Sequence, residues 1–447
     1  MEPIETVLVT KLANALEQTY PKLTRREAVI PSVKGKVHAI IGMRRAGKTS
    51  YLFQCLQDRL DAGQDRSRLL YLNFEDERLT DLEATQLNTL IDEYYRLYPE
   101  FRGKETVTVC FDEIQLVAGW EKFVRRIIDE EKVEIFISGS SAKMLSREVA
   151  TAMRGRALET WITPFSFTEY LAHHQISMPR STSVMSSAGV SKMLHCFDQY
   201  LTIGGFPEVQ NTDVRGRVQM LQGYVDSVLL RDVIERHGLA NITALRALTR
   251  QLLGNTATSF SISKIYHDFR SRGISVSKET LLDYLHHLED SFLVMPVEIY
   301  AKSARRRQVN PRKIYLADHA LGMAYAVGRA PETGHYLENI IACELFRNQH
   351  SVHYYKTQSG FEIDFFTIAY DGKAAFTQIA ARVDGQATLE REIRALEEAS
   401  YEVPEASLLL ITLTETKTIE LRDRKSVSVL PAWKWLLKHA GNKSSIR

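Results

Sequence analysis

The segment Gly42-Met-Arg-Arg-Ala-Gly-Lys-Thr49 satisfies the pattern G-x-x-x-x-G-K-[ST], and each residue type in it has a chemical reason. The glycines let successive backbone N–H groups turn inward around phosphate oxygens, and the helix that follows presents its positive dipole end. Lys48 reaches the terminal phosphates as a cation, and Thr49 offers a hydroxyl to Mg²⁺. Arg44, Arg45, Ala46, Gly47 and Ser50 complete the cradle. Further along, Asp112-Glu113 closes the apolar run Val107-Thr-Val-Cys-Phe111. An aspartate placed there holds Mg²⁺ directly or through water, while Glu113 orients and activates a water for in-line transfer of a γ-phosphoryl group. Nucleotide binding followed by hydrolysis is the chemistry these motifs predict.

Such residues work only if strands and helices hold them. Lys36–Ile41 reads as a buried strand running into the loop, and Leu52, Leu56 and Leu60 recur at helical spacing up to a stop at Gly63. Arg68–Phe74 and Val133–Ile137 read as further strands, with Trp120, Phe123, Val124, Ile127 and Ile128 marking a helix between. This alternation predicts a parallel sheet covered on both faces, with ligand at the carboxyl ends of its strands. There Ser138 or Ser141 would sense the γ-phosphate, a plain turn being the alternative. Gln115, Arg44, Arg45, Arg154 and Arg156 are candidates to meet transition-state charge.

Bulk properties narrow the class. The chain has 447 residues, a formal charge of +2, 44% hydrophobic and 25% charged residues, so disordered, collagenous and coiled-coil chains are excluded. Its length predicts about three domains. No apolar stretch is long enough to span a bilayer, and no secretory signal is expected at the N-terminus. Cys55, Cys110, Cys196 and Cys343 stand far apart and away from metal-ligand spacing, which suits reduced thiols in the cytoplasm. The pairs His173-His174 and His286-His287 lack companions for a metal site.

With near-zero bulk charge, a basic site must be local. After the Ser-rich loop Ser181–Ser187 the text is helical, with Tyr224, Val228, Leu229 and Val233 on one face. Ile262, Ile265, Tyr266 and Phe269 mark a helix, Gly273–Ser277 a turn, and Thr280, Leu281, Tyr284, Leu285 and Leu288 a second helix. A strand-like Phe292–Val297 and a crowd of cations, Lys302, Arg305, Arg306, Arg307, Arg312 and Lys313, follow before Ile314. This order resembles a winged helix with a basic wing that meets duplex DNA, or else a solvated hairpin used for protein contacts.

Taken in order, the double-arginine phosphate loop, Tyr71-Leu-Asn-Phe-Glu-Asp-Glu77, Asp112-Glu-Ile-Gln115, Ser138-Gly-Ser140, Gly155-Arg156, Pro164-Phe-Ser-Phe167 and Gly204-Gly-Phe-Pro207 resemble bacterial and archaeal AAA+ type P-loop ATPases with a C-terminal PD-(D/E)xK nuclease-like domain. The resemblance implies an α/β fold: a parallel-sheet AAA+ core over 20–180, a helical lid over 181–255, a winged helix over 256–330 and a nuclease-like domain over 331–435. It implies ATP over GTP, Mg²⁺ held by Thr49 and Asp112, Ser138 or Ser141 as sensor, and Arg156 as the better-placed sensor or finger arginine.

The nuclease chemistry needs an acidic residue on one strand and Glu-x-Lys on the next. Asp364 fits the first role, with Glu338 or Glu344 as an added helix ligand, but Gln378-Ile-Ala380 stands at the second. Lys356 and Arg382 are the near candidates for a migrated cation, and the alternative to a metal role is that Glu362 and Asp364 cap or pair on a surface strand. Cleavage is expected to be lost. The leading expectation is an ATP-hydrolysing, DNA-associated switch. An ATP-gated nuclease and a nucleotide-holding scaffold for an unknown protein partner are the alternatives.

Overall fold

The computed structural model describes residues 3–31, 33–139, 153, 155–179, 181–182, 184–301, 303, 307, 311–326, 332–348, 351–383, 385–422 and 425–441. The chain divides into two compact units, 1–162 and 163–447.

In the first unit, strands β1 (Val37–Ile41), β2 (Leu69–Asn73), β3 (Val107–Asp112), β4 (Val133–Gly139) and β5 (Ala157–Trp161) form one sheet in the order β2-β3-β4-β1-β5. Every pairing is parallel. β1 and β3 are buried at every residue, as a sheet covered on both faces requires. Helix α1 (Ile4–Glu17) buries Val7, Leu8 and Leu12, α2 (Lys48–Asp61) buries Leu52 and Leu56, and α3 (Asn88–Leu97) buries Ile91 and Tyr94. Helix α4 (Trp120–Glu130) buries Trp120, Phe123, Val124 and Ile127, the face its spacing predicts. Crossovers between β1, β4 and β3 bring the carboxyl ends of these three strands side by side.

The second unit starts with a capping box, in which Ser166 and Glu169 reciprocally satisfy the first turn of the Phe167–His173 helix. Helices Ser187–Ile203, Val214–Ser227 and Ile242–Leu253 follow, with a π-helical stretch at Val228–Ile234. Gly204 and Gly205 are required by crowding. A Cβ on Gly205 would lie 2.4 Å from the Phe165 carbonyl oxygen, and the Gly205 N–H donates to Asp318 at 2.7 Å.

Helices Ile262–Ser271 and Lys278–Asp290 then precede an antiparallel sheet of β6 (Ser259–Phe260), β7 (Val294–Val297) and β8 (Arg312–Leu316) in the order β6-β8-β7. Beyond the buried Thr333–Arg347 helix, a mixed six-stranded sheet runs in the order β13-β14-β12-β11-β10-β9. Its strands are β9 (Ser351–Lys356), β10 (Glu362–Ile368), β11 (Ala374–Ile379), β12 (Ser407–Thr412), β13 (Lys417–Glu420) and β14 (Ser426–Pro431). Ile363, Phe366, Phe376, Leu396, Leu410 and Val429 form its core with the Gln386–Glu402 helix. No helix among the described residues is long and apolar enough to cross a membrane.

Candidate functional site

The phosphate loop leaves the carboxyl end of β1 through backbone that needs its glycines. Gly42 has φ +145°, and a Cβ there would stand 2.0 Å from the Ile162 carbonyl oxygen, beside the bond from the Ile162 N–H to the Ile41 carbonyl. Gly47, at φ +100°, caps α2, and no side chain takes that role. An anion's oxygens fit this end because the first N–H groups of a helix have no intrahelical acceptor. Arg45 also takes a left-handed conformation at φ +66° and is exposed. Buried Arg26 donates to the Ala46 carbonyl at 2.9 Å and braces the loop from below.

Lys48 is buried and its ammonium donates to the Gly42 and Met43 carbonyls at 3.0 and 3.2 Å, across the hollow of the loop. The Thr49 hydroxyl donates to Asp112 Oδ2 at 2.8 Å, and the Tyr71 hydroxyl reaches the same oxygen at 2.6 Å. Ser138 donates to the other oxygen, Oδ1, and accepts the Glu113 N–H at 3.1 Å. Strand order explains this: β4 lies between β1 and β3, and Phe111 pairs with Ile137, so Ser138 is level with Asp112. A hydroxyl and a carboxylate 2.8 Å apart are hard oxygen donors, the set Mg²⁺ prefers.

Glu113 adopts a left-handed conformation at φ +56° just after β3, and its carboxylate accepts from Gln115 Nε2. Burial pushes its carboxyl above the usual carboxylate range; Lys48 opposes the rise and Asp112 adds to it. Gln115 Oε1 is buried without a hydrogen-bond partner. Burial, with the neighbouring Asp112, also drives the Tyr71 hydroxyl upward, so Tyr71 stays a neutral donor.

Of the remaining candidates, Arg44 lies 3.7 Å from Glu75, and Ser50 sits in the first turn of α2. Arg156 is not brought to this end. Its carbonyl accepts the Val37 N–H at 2.8 Å, at the amino end of β1, and its guanidinium pairs with Asp129 at 2.5 Å. Ser141 and Arg154 lie outside the described residues. The roles of Tyr71 and Arg26 escaped sequence reasoning: Tyr71 showed as a strand residue and as the first residue of the Tyr71–Glu77 motif, with no sign of its bond to Asp112, and nothing in the text around Arg26 signals its reach to Ala46.

In the second unit, the acidic residues expected of a nuclease-like centre do meet, but around an unexpected cation. Lys313, on β8 and 4% exposed, lies 2.8 Å from Asp364, 3.1 Å from Glu338 and 3.1 Å from Glu362. The expectation that Lys313 faces DNA is therefore corrected: alternation along β8 turns it inward while Arg312 pairs with Glu298 at 3.2 Å. Lys356, offered as a migrated cation, pairs with Glu362 at 3.4 Å. Glu362, offered together with Asp364 as a pair on a surface strand, belongs with it to the cluster. Glu344, the alternative to Glu338, pairs with Arg347.

Asp364 also accepts the Ile379 N–H at 2.9 Å, while Gln378 accepts the Asp364 N–H at 3.2 Å and donates to Glu392 at 2.8 Å. Burial raises the Glu338 carboxyl, and Asp364 reinforces it, against the lowering pull of Lys313. Three carboxylates hold the Lys313 ammonium charged against its own burial. Of the other wing cations, Arg307 donates to the Ala301 carbonyl at 2.6 Å, and Lys302, Arg305 and Arg306 lie outside the described residues.

The parallel sheet, the loop after β1 and the acidic pair after β3 define an α/β P-loop core of the AAA type. A profile of an AAA domain matches residues 34–171, and two profiles of domains of unknown function, DUF8612 and DUF4143, match 194–333 and 333–435. The uncharacterized protein MJ1544 of Methanocaldococcus jannaschii is 31% identical over 428 residues, 94% of this chain and 92% of that protein. An uncharacterized protein of Haemophilus influenzae is 30% identical over 349 residues, 78% of this chain and 83% of that one. The chain belongs to the family of AAA-domain proteins that these relatives represent. Among solved structures, it is similar to the Walker-type ATPase PABY2304 of Pyrococcus abyssi, with 14% identity, 72% of this chain and 95% of that chain covered and a TM-score of 0.39. The ORC1 protein of Aeropyrum pernix in complex with DNA matches with 13% identity, 72% and 91% coverage and a TM-score of 0.27.

Proposed function

We propose that this protein binds ATP with Mg²⁺ and hydrolyses it as a molecular switch. The observation that carries the reading is the 2.8 Å contact between the Thr49 hydroxyl and the Asp112 carboxylate, beside Lys48 and Glu113. Thr49 and Asp112 would hold Mg²⁺, which supplies positive charge against the β- and γ-phosphates. Lys48 would leave the Gly42 and Met43 carbonyls for phosphate oxygens, a stronger, charged partner. Glu113, once ionised and free of Gln115, would orient and deprotonate the attacking water. Ser138 acts as a positioning residue through Asp112 and the Glu113 amide, and Arg156 would contribute only to a neighbouring chain's nucleotide.

The finer reading adds DNA association through a winged helix over 256–330. Its support is the Ser277-capped Lys278–Asp290 helix beside an antiparallel sheet, with Lys302 and Arg305–Arg307 as the remaining cations. The nuclease-like part, over 331–435, is read as catalytically silent, because the Lys313 ammonium stands among the carboxylates that would ligate a metal.

Steady-state ATP turnover by the wild type, Lys48→Ala and Glu113→Gln, each with and without duplex DNA, tests the proposal. Turnover abolished by both substitutions and raised by DNA supports it. Tight ATP binding with no turnover would replace it with a nucleotide-holding protein scaffold, and DNA binding that is flat with salt would remove the DNA part.

A further inference from the structure

A groove of about 980 Å³ opens within the second unit, apart from both sites described above. It runs between the Val214–Ser227 and Ile242–Leu253 helices, with the end of the Ile262–Ser271 helix and Tyr325 on its walls. Pockets of about 300–1,000 Å³ are the size that encloses small organic ligands.

Charge on the walls is uneven. Arg246, Arg250 and Arg272 face Asp226 and Asp268, so three cations stand against two anions and one positive charge is in excess. Arg246 pairs with Asp226 at 3.4 Å and Arg272 with Asp268 at 3.2 Å. That leaves Arg250, exposed in the groove, without an ion pair among the described residues. A guanidinium in that position is a fork of donors suited to a phosphate.

Half-buried Tyr325, on the wall of the same groove, presents an aromatic surface of the kind on which bases stack. The wall also includes Leu229, from the π-helical stretch Val228–Ile234. Such π segments are rare in helices and recur at ligand sites.

We propose that this groove is a second ligand site, which takes a nucleoside phosphate. The phosphate sits on Arg250, and the base lies against Tyr325. The nucleoside phosphate arrives either as a free mononucleotide or as the 5′ end of a nucleic-acid strand.

The test uses the full chain carrying Lys48→Ala, which silences the phosphate loop, in calorimetric titrations with AMP, GMP, UMP, inorganic phosphate and a 5′-phosphorylated tetranucleotide. At least one mononucleotide or the tetranucleotide is expected to saturate one site per chain, more tightly than inorganic phosphate. Adding Arg250→Ala should weaken that binding by about tenfold or more, and Tyr325→Leu by a smaller factor. Binding by the tetranucleotide alone assigns the ligand to a strand end. No saturable nucleotide binding, binding no tighter than phosphate, or binding that Arg250→Ala leaves unchanged overturns the proposal.

Discussion

The Lys313 ammonium lies 2.8 Å from the Asp364 carboxylate, although the two residues belong to different sheets. Glu338 and Glu362 complete the surroundings of that ammonium, each at 3.1 Å. Removing one partner of a buried pair leaves the others charged in a poorly solvating interior, at a cost of about 3–5 kcal/mol. Lys313→Met should therefore lower stability by that amount in chemical denaturation. The double change Lys313→Met with Asp364→Asn should cost less than the sum of the single changes. An additive result would show that the two charges do not support each other.

Turnover should rise with pH because Glu113 acts as its carboxylate and burial has raised its pKa. The sign follows directly: below the raised pKa the carboxyl is protonated and cannot take a proton from water, so activity falls as pH falls through that value. A kcat profile from acid to neutral pH measures this limb. Glu113→Gln should remove the limb together with nearly all turnover.

Glu338 carries the corresponding stability effect. Its folded pKa stands above the unfolded one, so its stabilising contribution is complete below the unfolded value and is lost as pH rises through the folded value. Glu338→Gln keeps shape and hydrogen bonding while removing the titration. Melting temperatures across that window should fall with pH in the wild type more than in Glu338→Gln.

Ser138→Ala removes the donor to Asp112 Oδ1 and the acceptor of the Glu113 N–H together. A lost hydrogen bond that leaves a charged group unsatisfied costs about 1–3 kcal/mol, so turnover should drop at least about fivefold. ATP affinity without Mg²⁺ should hardly change. Equal losses in kcat and in metal-free ATP affinity would instead indicate a role in folding the loop.

Arg156→Ala should change turnover of the dilute protein by less than about twofold, because an exposed pair with Asp129 contributes little. A large loss that appears only as protein concentration increases would place Arg156 at a neighbouring chain's nucleotide.

The parallel core was readable from local text, because uninterrupted apolar strands and a helix at four-residue spacing leave few alternatives for β1, α2 and β3. The course of the loop was readable for the same reason: Gly42 to Thr49 are contiguous. Tyr71, by contrast, reaches Asp112 only because β2 and β3 are neighbours, with Tyr71 paired to Cys110 in register. Spacing along the chain carries no such information. The basic crowd misled at Lys313, because six cations close together look alike in sequence while strand alternation sends Arg312 and Lys313 to opposite sides. The absence of a lysine at Ala380 was legible; the lysine that stands at Asp364 comes from 51 residues upstream.

That lysine has a consequence for inheritance. The two profiles of unknown function meet at residue 333, and the boundary falls between Lys313 on one side and Glu338, Glu362 and Asp364 on the other. A gene rearrangement that cut there would leave one fragment with a stranded buried cation and the other with a knot of repelling acids. The segments on either side of residue 333 are thus not interchangeable parts: a lineage that acquires one must acquire the other or evolve a new partner for its charge.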